Sequence, residues 1–528
     1  MPSTTFNLAL DWLLAALPIL AVLFLMLRLR WGGAKAGAVG WLAALLIAAL
    51  RFGAGWPVLA HAQLKGLLLS LFVLYIIWAA LLLYRVTDEA GALSAIGAGL
   101  PRLTPDRGLQ ALLLGWIFGA FLQGVSGFGV PVAVVAPLLV GLGFPPLAAV
   151  IIPSVGHVWA VTFGSLGSSF YALMAATGRG GEELAPWSAA MLGLACLACG
   201  AGTLWAAGGR RTLRAGSAPL LVIGLAMAGA QFLAVTHGLW SLGGMIGGLT
   251  GLAVGVAWAR LSSTRGAAAT DPLPAAETPP EAHMPVGWAL FPYALLVAIV
   301  LAAQLIPPVH NFLGQVVLRV QFPELSTTRG WVTPAGEGRT INAFGHAGAL
   351  LTYAALITYG LFSAQGRYSP GTARRIGRAV VRRAARSSLG IAAMVGMAVT
   401  MEHAGMTQML ADGLARVAGP AFPLVAPFIG ALGAFMTGSN TNSNVVFGGL
   451  QQHVAALIGV SPLIILASQT AGGAVGSLFA PAKVIVGCST VGLGGKEGPV
   501  LRTAMRYGLA IVAGLAVATG LAVYVWGR

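Results

Sequence analysis

Residues Gly433 to Pro481 read GAFMTGSNTNSNVVFGGLQQHVAALIGVSPLIILASQTAGGAVGSLFAP. At the centre, Thr437-Gly438-Ser439-Asn440-Thr441-Asn442-Ser443-Asn444 is a run of small hydrogen-bonding residues without a charge, flanked by long apolar segments. Inside a bilayer such a run leaves polar groups without water. That is tolerated only where the backbone lines a cavity or is packed in protein. The stretch therefore predicts a broken helix at membrane depth and a binding site at the break.

Composition places the whole chain in the same solvent. Of 528 residues, 57% are hydrophobic and 8% charged, against roughly 25% charged in a soluble domain. Apolar runs long enough to span a bilayer recur throughout. The expected fold class is an all-α polytopic membrane protein with about 12–14 transmembrane segments, forming one integral membrane domain over residues 1–528. The formal charge of +16 does not point to nucleic acid, because the basic residues sit in short loops between spans, where they set topology. Leu8–Leu27 has no basic region before it and no small-residue cleavage site after it, so it reads as a first span. Cys196 and Cys199 lie in an apolar helix with no second cysteine pair and read as small core residues, as does Cys488.

Outward from the opening stretch, a second polar break is visible. Leu109–Leu122 is a span that ends at Gly124-Val125-Ser126-Gly127-Phe128-Gly129-Val130-Pro131, and Val132–Leu142 resumes. Leu147–Val161 contains His157 and leads to the polar segment Thr162–Ser169. Arg367, Arg374, Arg375, Arg378, Arg382, Arg383 and Arg386 read as one basic loop, followed by a separate span Leu389–Val399. By the positive-inside rule the loop is cytoplasmic. Counting spans back puts Pro307–Thr340 outside, with Val316–Phe322 strand-like and His346 expected at the surface.

The two breaks are related. Gly119-Ala120-Phe121-Leu122-Gln123-Gly124 matches Gly433-Ala434-Phe435-Met436-Thr437-Gly438 at an offset of 314, which also pairs Gly91 with Gly405 and Arg102 with Arg416. An offset of 316 pairs Gly143-Phe144-Pro145-Pro146-Leu147 with Gly459-Val460-Ser461-Pro462-Leu463. The first hairpin starts from the inside and the second from the outside, so the repeats are expected to be inverted. Their approximate ranges are 67–259 and 344–528, joined by an Ala/Pro/Thr-rich linker at 262–285. Inverted repeats with broken helices meeting near the midplane are a plan of secondary transporters.

At these residues the sequence resembles the bacterial L-lactate permease family, most strongly in Gly119–Gly167 and Gly433–Gly498. The resemblance implies a fold with paired re-entrant hairpins and elevator-like movement. It also implies import of L-lactate, glycolate or related short 2-hydroxymonocarboxylates with protons across a bacterial inner membrane. The chain departs from the family pattern at four places. Gln123 and Asn440 stand where an acid is usual, His157-Val158 where Asn-Thr is usual, and Ala482-Lys483 where Gln-Ser is usual. Two acidic carriers for a coupling proton are therefore absent, and sodium coupling stays open beside protons. The alternatives are the same fold carrying another small organic anion, a carboxylate or sulfonate, with different or no ion coupling, or a non-transporting membrane scaffold.

The candidate substrate-binding residues are Thr437, Gly438, Ser439, Asn440, Thr441, Asn442, Ser443 and Asn444, with Gln123, Ser126, Gly127 and Gly129 as the partner half. Hydroxyls, amides and backbone N–H groups suit an anion that must also leave. Gln469 and Thr470 follow the second hairpin, and Lys483 is the basic residue of an otherwise apolar stretch; a buried ammonium finds a partner or a function. His157, Glu402 and His403 are the proton-coupling candidates, since histidine titrates near neutral pH. Histidines and acids do not cluster at metal-ligand spacing, so no metal is expected, and no cofactor. There is no P-loop pattern and no nucleophile–base arrangement, so the chain does not read as an enzyme. A homo-oligomer is left open.

Overall fold

In the computed structural model, residues 2–29, 31–126, 129–263, 284–493 and 497–526 are described. The expected linker falls almost wholly outside them, as does Gly127. Helices α1 (Pro2–Leu27) and α2 (Gly33–Leu50) precede the long α3 (Trp56–Glu89) and the short α4 (Ala92–Gly99). Pro57 sits in the first turn of α3, where a missing N–H is tolerated.

A first hairpin follows. Its entering arm runs from α5 (Arg107–Ala111) through a π-helical stretch, Leu112–Phe118, into α6 (Gly119–Val125); α7 (Val130–Gly141) is its second arm. Asp106 starts the entering arm by accepting the Leu109 N–H at 2.6 Å. Then α8 (Pro146–Gly156) breaks, and α9 (Ser168–Thr177) resumes after two short 3₁₀ turns. Helices α10 (Gly181–Ala215), α11 (Ser217–Thr236) and α12 (Gly243–Ser263) complete this part. Helix α10 continues through a backbone break at Gly208-Gly209 to carry Arg210, Arg211 and Arg214.

After the linker come α13 (Val286–Leu305), a short α14 (Pro307–Leu313) and a ribbon of two-residue strands. The strands nest as antiparallel pairs: β1 (Val317–Leu318) with β6 (Ile341–Asn342), β2 (Gln321–Phe322) with β5 (Gly336–Glu337), and β3 (Leu325–Ser326) with β4 (Val332–Thr333). Helix α15 (Ala347–Ala364) leads to α16 (Thr372–His403), α17 (Met406–Ala418) and the second hairpin, α18 (Phe422–Thr437) and α19 (Asn440–Leu457). Last come α20 (Pro462–Gly476), α21 (Pro481–Thr490) and α22 (Glu497–Trp526).

Two expectations are corrected here. The arginine-rich segment is not a loop: all its arginines but Arg367 lie on α16, continuous with the predicted span Leu389–Val399. Arginine is a good helix former and no proline interrupts Thr372–His403. His346 is not at the surface but buried at 6% exposure, its ring stacked on Tyr75 at 5.0 Å.

Among the described residues, 14 helical segments are long and apolar enough to cross a membrane. Glycines set how closely the broken elements pack. A Cβ at Gly472 of α20 would run into the Pro427 carbonyl of α18, and one at Gly430 of α18 into the Gln469 carbonyl of α20. In the first half, a Cβ at Gly156 of α8 would run into the Gly115 carbonyl of the π-helical stretch. Backbone-to-backbone crossings of this kind are how helices associate where apolar contact alone gives no driving force.

Candidate functional site

The polar run folds as two half-helices meeting at a turn. Helix α18 stops at Thr437 because Gly438 takes φ 71°, a left-handed conformation that glycine adopts at no steric cost. Ser439 then caps α19, its Oγ accepting the Asn442 N–H at 3.4 Å. The Thr437 hydroxyl bridges the Gly433 and Ser439 carbonyls at 2.8 and 3.0 Å. The result is a helix N-terminus standing at the break.

Thr437 to Asn442 line a cavity of about 270 Å³. The facing wall comes from the other half of the chain: Gln123 of α6, Val161 and Ser165 from the broken segment, and Ser168 and Ser169 in the first turn of α9. Lys483, in the first turn of α21, joins them, and Gly33, Ala34, Ile77, Gly390 and Ile391 close the rest. The broken segment is strained where it meets the cavity. Ser165 (φ 47°) and Leu166 (φ 55°) are both left-handed, followed by Gly167 at φ 80°. Such conformations cost of order 1–3 kcal/mol each for residues other than glycine and persist where the surroundings impose them.

The electrostatics favour a negative guest. Among the described residues, the lining holds one cation, Lys483, and no carboxylate. The N-termini of α9 and α19 converge on the cavity, joined by the Ser169 and Thr441 hydroxyls at 3.0 Å. Each helix start carries about half a positive charge on its unpaired N–H groups. Lys483 Nζ donates to Ser477 Oγ at 2.8 Å, a neutral partner that leaves its charge uncompensated. Among the described residues, Gln123 Oε1 and Asn442 Oδ1 are buried acceptors without a partner, a complement for a donor such as a ligand hydroxyl.

Behind this wall lies a hydrogen-bonded layer. Asn440 Nδ2 donates to the hydroxyls of Thr162 (3.1 Å) and Thr470 (3.3 Å). Asn444 Nδ2 donates to Thr470 Oγ1 and to the Ser169 carbonyl, both at 2.9 Å. Gln469 Nε2 donates to Ser443 Oγ at 3.0 Å and its Oε1 accepts from Gln451. Ser443, Asn444, Gln469 and Thr470 thus stand behind the cavity rather than in its lining.

The remaining sequence candidates are placed elsewhere. Ser126 is buried with its hydroxyl on the Leu122 carbonyl. Gly129 (φ 81°) caps the start of α7, where an added Cβ would lie 4.0 Å from the Lys483 side chain. His157 is 1% exposed; its Nδ1 meets the Pro153 carbonyl, its Nε2 has no partner among the described residues, and it does not line the cavity. Glu402 and His403 end α16 and line a different cavity. Sequence reasoning singled out no role for Thr162, Ser165, Ser168 and Ser169; the signal was the uncharged polar segment Thr162–Ser169 after an apolar span, the same signature as the opening stretch.

Residues 11–526 match the family described as L-lactate permease. The chain belongs to the L-lactate permease family. It is a multi-pass protein of the bacterial inner membrane. It is 28% identical over 541 residues to the L-lactate permease of Salmonella typhimurium (strain LT2), covering 98% of this chain and 97% of that one. It is 29% identical over 559 residues to the L-lactate permease of Bacillus subtilis (strain 168), covering 98% and 96%. A glycolate permease of Escherichia coli (strain K12) is 27% identical over 557 residues, covering 98% and 97%. Among solved structures, the Neisseria gonorrhoeae MtrF, described as illuminating a class of antimetabolite efflux pumps, superposes with a TM-score of 0.51 at 14% identity, covering 95% of this permease-family chain and 97% of that one. That likeness concerns the fold alone.

Proposed function

We propose that the protein is a secondary active importer of L-lactate or a related short 2-hydroxymonocarboxylate, coupled to protons. The observation that carries the reading is the cavity lining: two helix N-termini and Lys483 with no carboxylate among the described residues. The substrate carboxylate would lie between Lys483 and the starts of α9 and α19, and its hydroxyl would reach Gln123 or Asn442. Family membership and the relatives, L-lactate and glycolate permeases, support the substrate class.

Alternating access would come from moving the hairpins against the remaining helices. The element order supports an inverted pair of repeats: α3, α4, the first hairpin, α8 and α9 are followed in kind by α16, α17, the second hairpin, α20 and α21. The cavity reaches Gly33 and Ala34, close in sequence to Arg28 and Lys35, and Gly390, close to the arginines of α16. By the positive-inside rule that is the cytoplasmic end.

A second reading is favoured by Gln123 and Asn440, amides where the family pattern carries acids: the same fold passing another small anion without proton coupling. Uptake of labelled L-lactate into vesicles with an imposed pH gradient separates them. Accumulation that collapses with the gradient is expected. No accumulation sinks the substrate, and accumulation indifferent to proton and sodium gradients sinks the coupling.

A further inference from the structure

A second cavity, of about 260 Å³, stands on the same helices as the first. On α3 the central cavity is lined at Ile77 and the second at Lys65 and Leu69; on α16 the positions are Ile391 and then Ala398 to His403. Eight to twelve residues of helix on α3 correspond to about 12–18 Å. Between the two, Phe72, Val73, Ala172, Val395 and Val445 form one buried apolar cluster. The second cavity is therefore stacked on the first along the path toward the strand ribbon, separated by an apolar layer.

Its chemistry is that of an anion trap. Lys65 Nζ sits 5.0 Å from the Phe322 ring centroid and the Arg339 guanidinium 4.2 Å from that of Phe72. Among the described residues, neither cation makes an ion pair within 4.0 Å, and Arg339 Nε and His403 Nε2 are buried without a partner. Two carboxylates share the lining. Glu337 is engaged by Arg319 at 3.9 Å and by Thr340 at 2.7 Å. Glu402 shares the lining with Lys65, Arg339 and His403, its neighbour on α16, with His453 of α19 and Lys65 in electrostatic reach. While Glu402 is charged it opposes the two cations; when it takes a proton, the cavity gains one positive charge.

We propose that this outer cavity is a capture site for short carboxylate anions, built on Lys65 and Arg339, whose occupancy is tied to protonation of Glu402. It rests on the reading of the protein as an anion importer. By linkage, a proton on Glu402 favours the anion and the anion favours the proton, to the same factor. Entry from outside would thus load both together.

The test is cysteine labelling, which requires no transport. Cys196, Cys199 and Cys488 are buried, so Ala176→Cys, in the cavity lining, supplies a reporter. The rate with an anionic methanethiosulfonate is divided by the rate with a cationic one, cancelling the thiol's own titration. The ratio is expected to exceed one several-fold, to rise as pH falls from about 8 to 6, and to fall with L-lactate or acetate in the medium. Lys65→Gln and Arg339→Gln should each lower it. Glu402→Gln should hold it high and level with pH. A ratio near one in the reporter, or one that both cation variants leave unchanged, overturns the site, as does indifference to both carboxylates. A pH dependence that survives Glu402→Gln assigns it to His403 or His453 and overturns the role of Glu402. Failure of L-lactate uptake with anion-selective labelling intact would count against the substrate alone.

Discussion

Asn440, at the tip of the second hairpin, donates from Nδ2 to Thr162 Oγ1 at 3.1 Å across 278 positions of sequence. The bond ties the helix N-terminus of one half to the broken segment of the other. The Asn440 amide holds the wall together without adding charge to it.

Asn440→Asp follows directly. The Thr162 and Thr470 hydroxyls can rotate to donate, so folding should survive. A carboxylate about 5 Å from a bound anion opposes it by roughly 3 kcal/mol at an effective dielectric of 20. Labelled L-lactate uptake should fall roughly 100-fold or more near neutral pH and recover in part in acid, where the new carboxyl is protonated. Unchanged uptake at both pH values would show that the anion does not approach Asn440.

Lys483 is the positive side chain of the central cavity, and its hydrogen bond goes to the neutral Ser477. Lys483→Gln should raise the KM for uptake by roughly tenfold or more, the worth of a lost charge-assisted contact, with Lys483→Arg intermediate. Thermal unfolding in detergent should not fall, because removing a half-buried charge relieves a desolvation cost. A KM indifferent to the charge would remove Lys483 from the anion's path.

Much of this was legible from residues, and the limits were physical. An uncharged polar run in apolar surroundings marked the hairpin tip, because a bilayer gives such a run few other uses; Thr162–Ser169 carries the same signature but was assigned no role. The internal offset located Gln123 opposite Thr437. Side-chain direction was not legible: Asn442 and Asn444 are two positions apart on a helix, yet the first lines the cavity and the second is tied to Thr470. Nor was the helix carrying Arg374 to Arg386, since a charge run reads as a loop until its apolar continuation is seen to share an axis. The outer cavity draws Lys65, Arg339 and Glu402 from three separated segments, with no repeat or motif to join them.

Gly472→Ala tests the crossing that positions the second hairpin. The added methyl would meet the Pro427 carbonyl, backbone rather than a yielding side chain. Forced separation of packed elements typically costs 1–3 kcal/mol, so the melting midpoint in detergent should drop by several degrees, with uptake lost in proportion to hairpin displacement. Gly498→Ala, at an open position with nothing near its Cβ, is the control. Equal midpoints for both variants would remove the crossing from the account.

His346 gives the stability a pH dependence. Burial, then the nearby Arg339, depress its imidazole from the ordinary 6.5 to about 4, and its Nε2 is buried without a partner among the described residues. The folded protein therefore keeps this ring neutral where the unfolded chain protonates it. The contribution is fully present above about pH 6.5 and is lost progressively as pH falls toward 4. Its upper bound is about 3 kcal/mol. His346→Gln removes the titration while keeping a polar group at the start of α15, so the slope of melting midpoint against pH between 6.5 and 4 should flatten relative to the parent. An unchanged slope would place the acid sensitivity in other groups and the imidazole in contact with solvent.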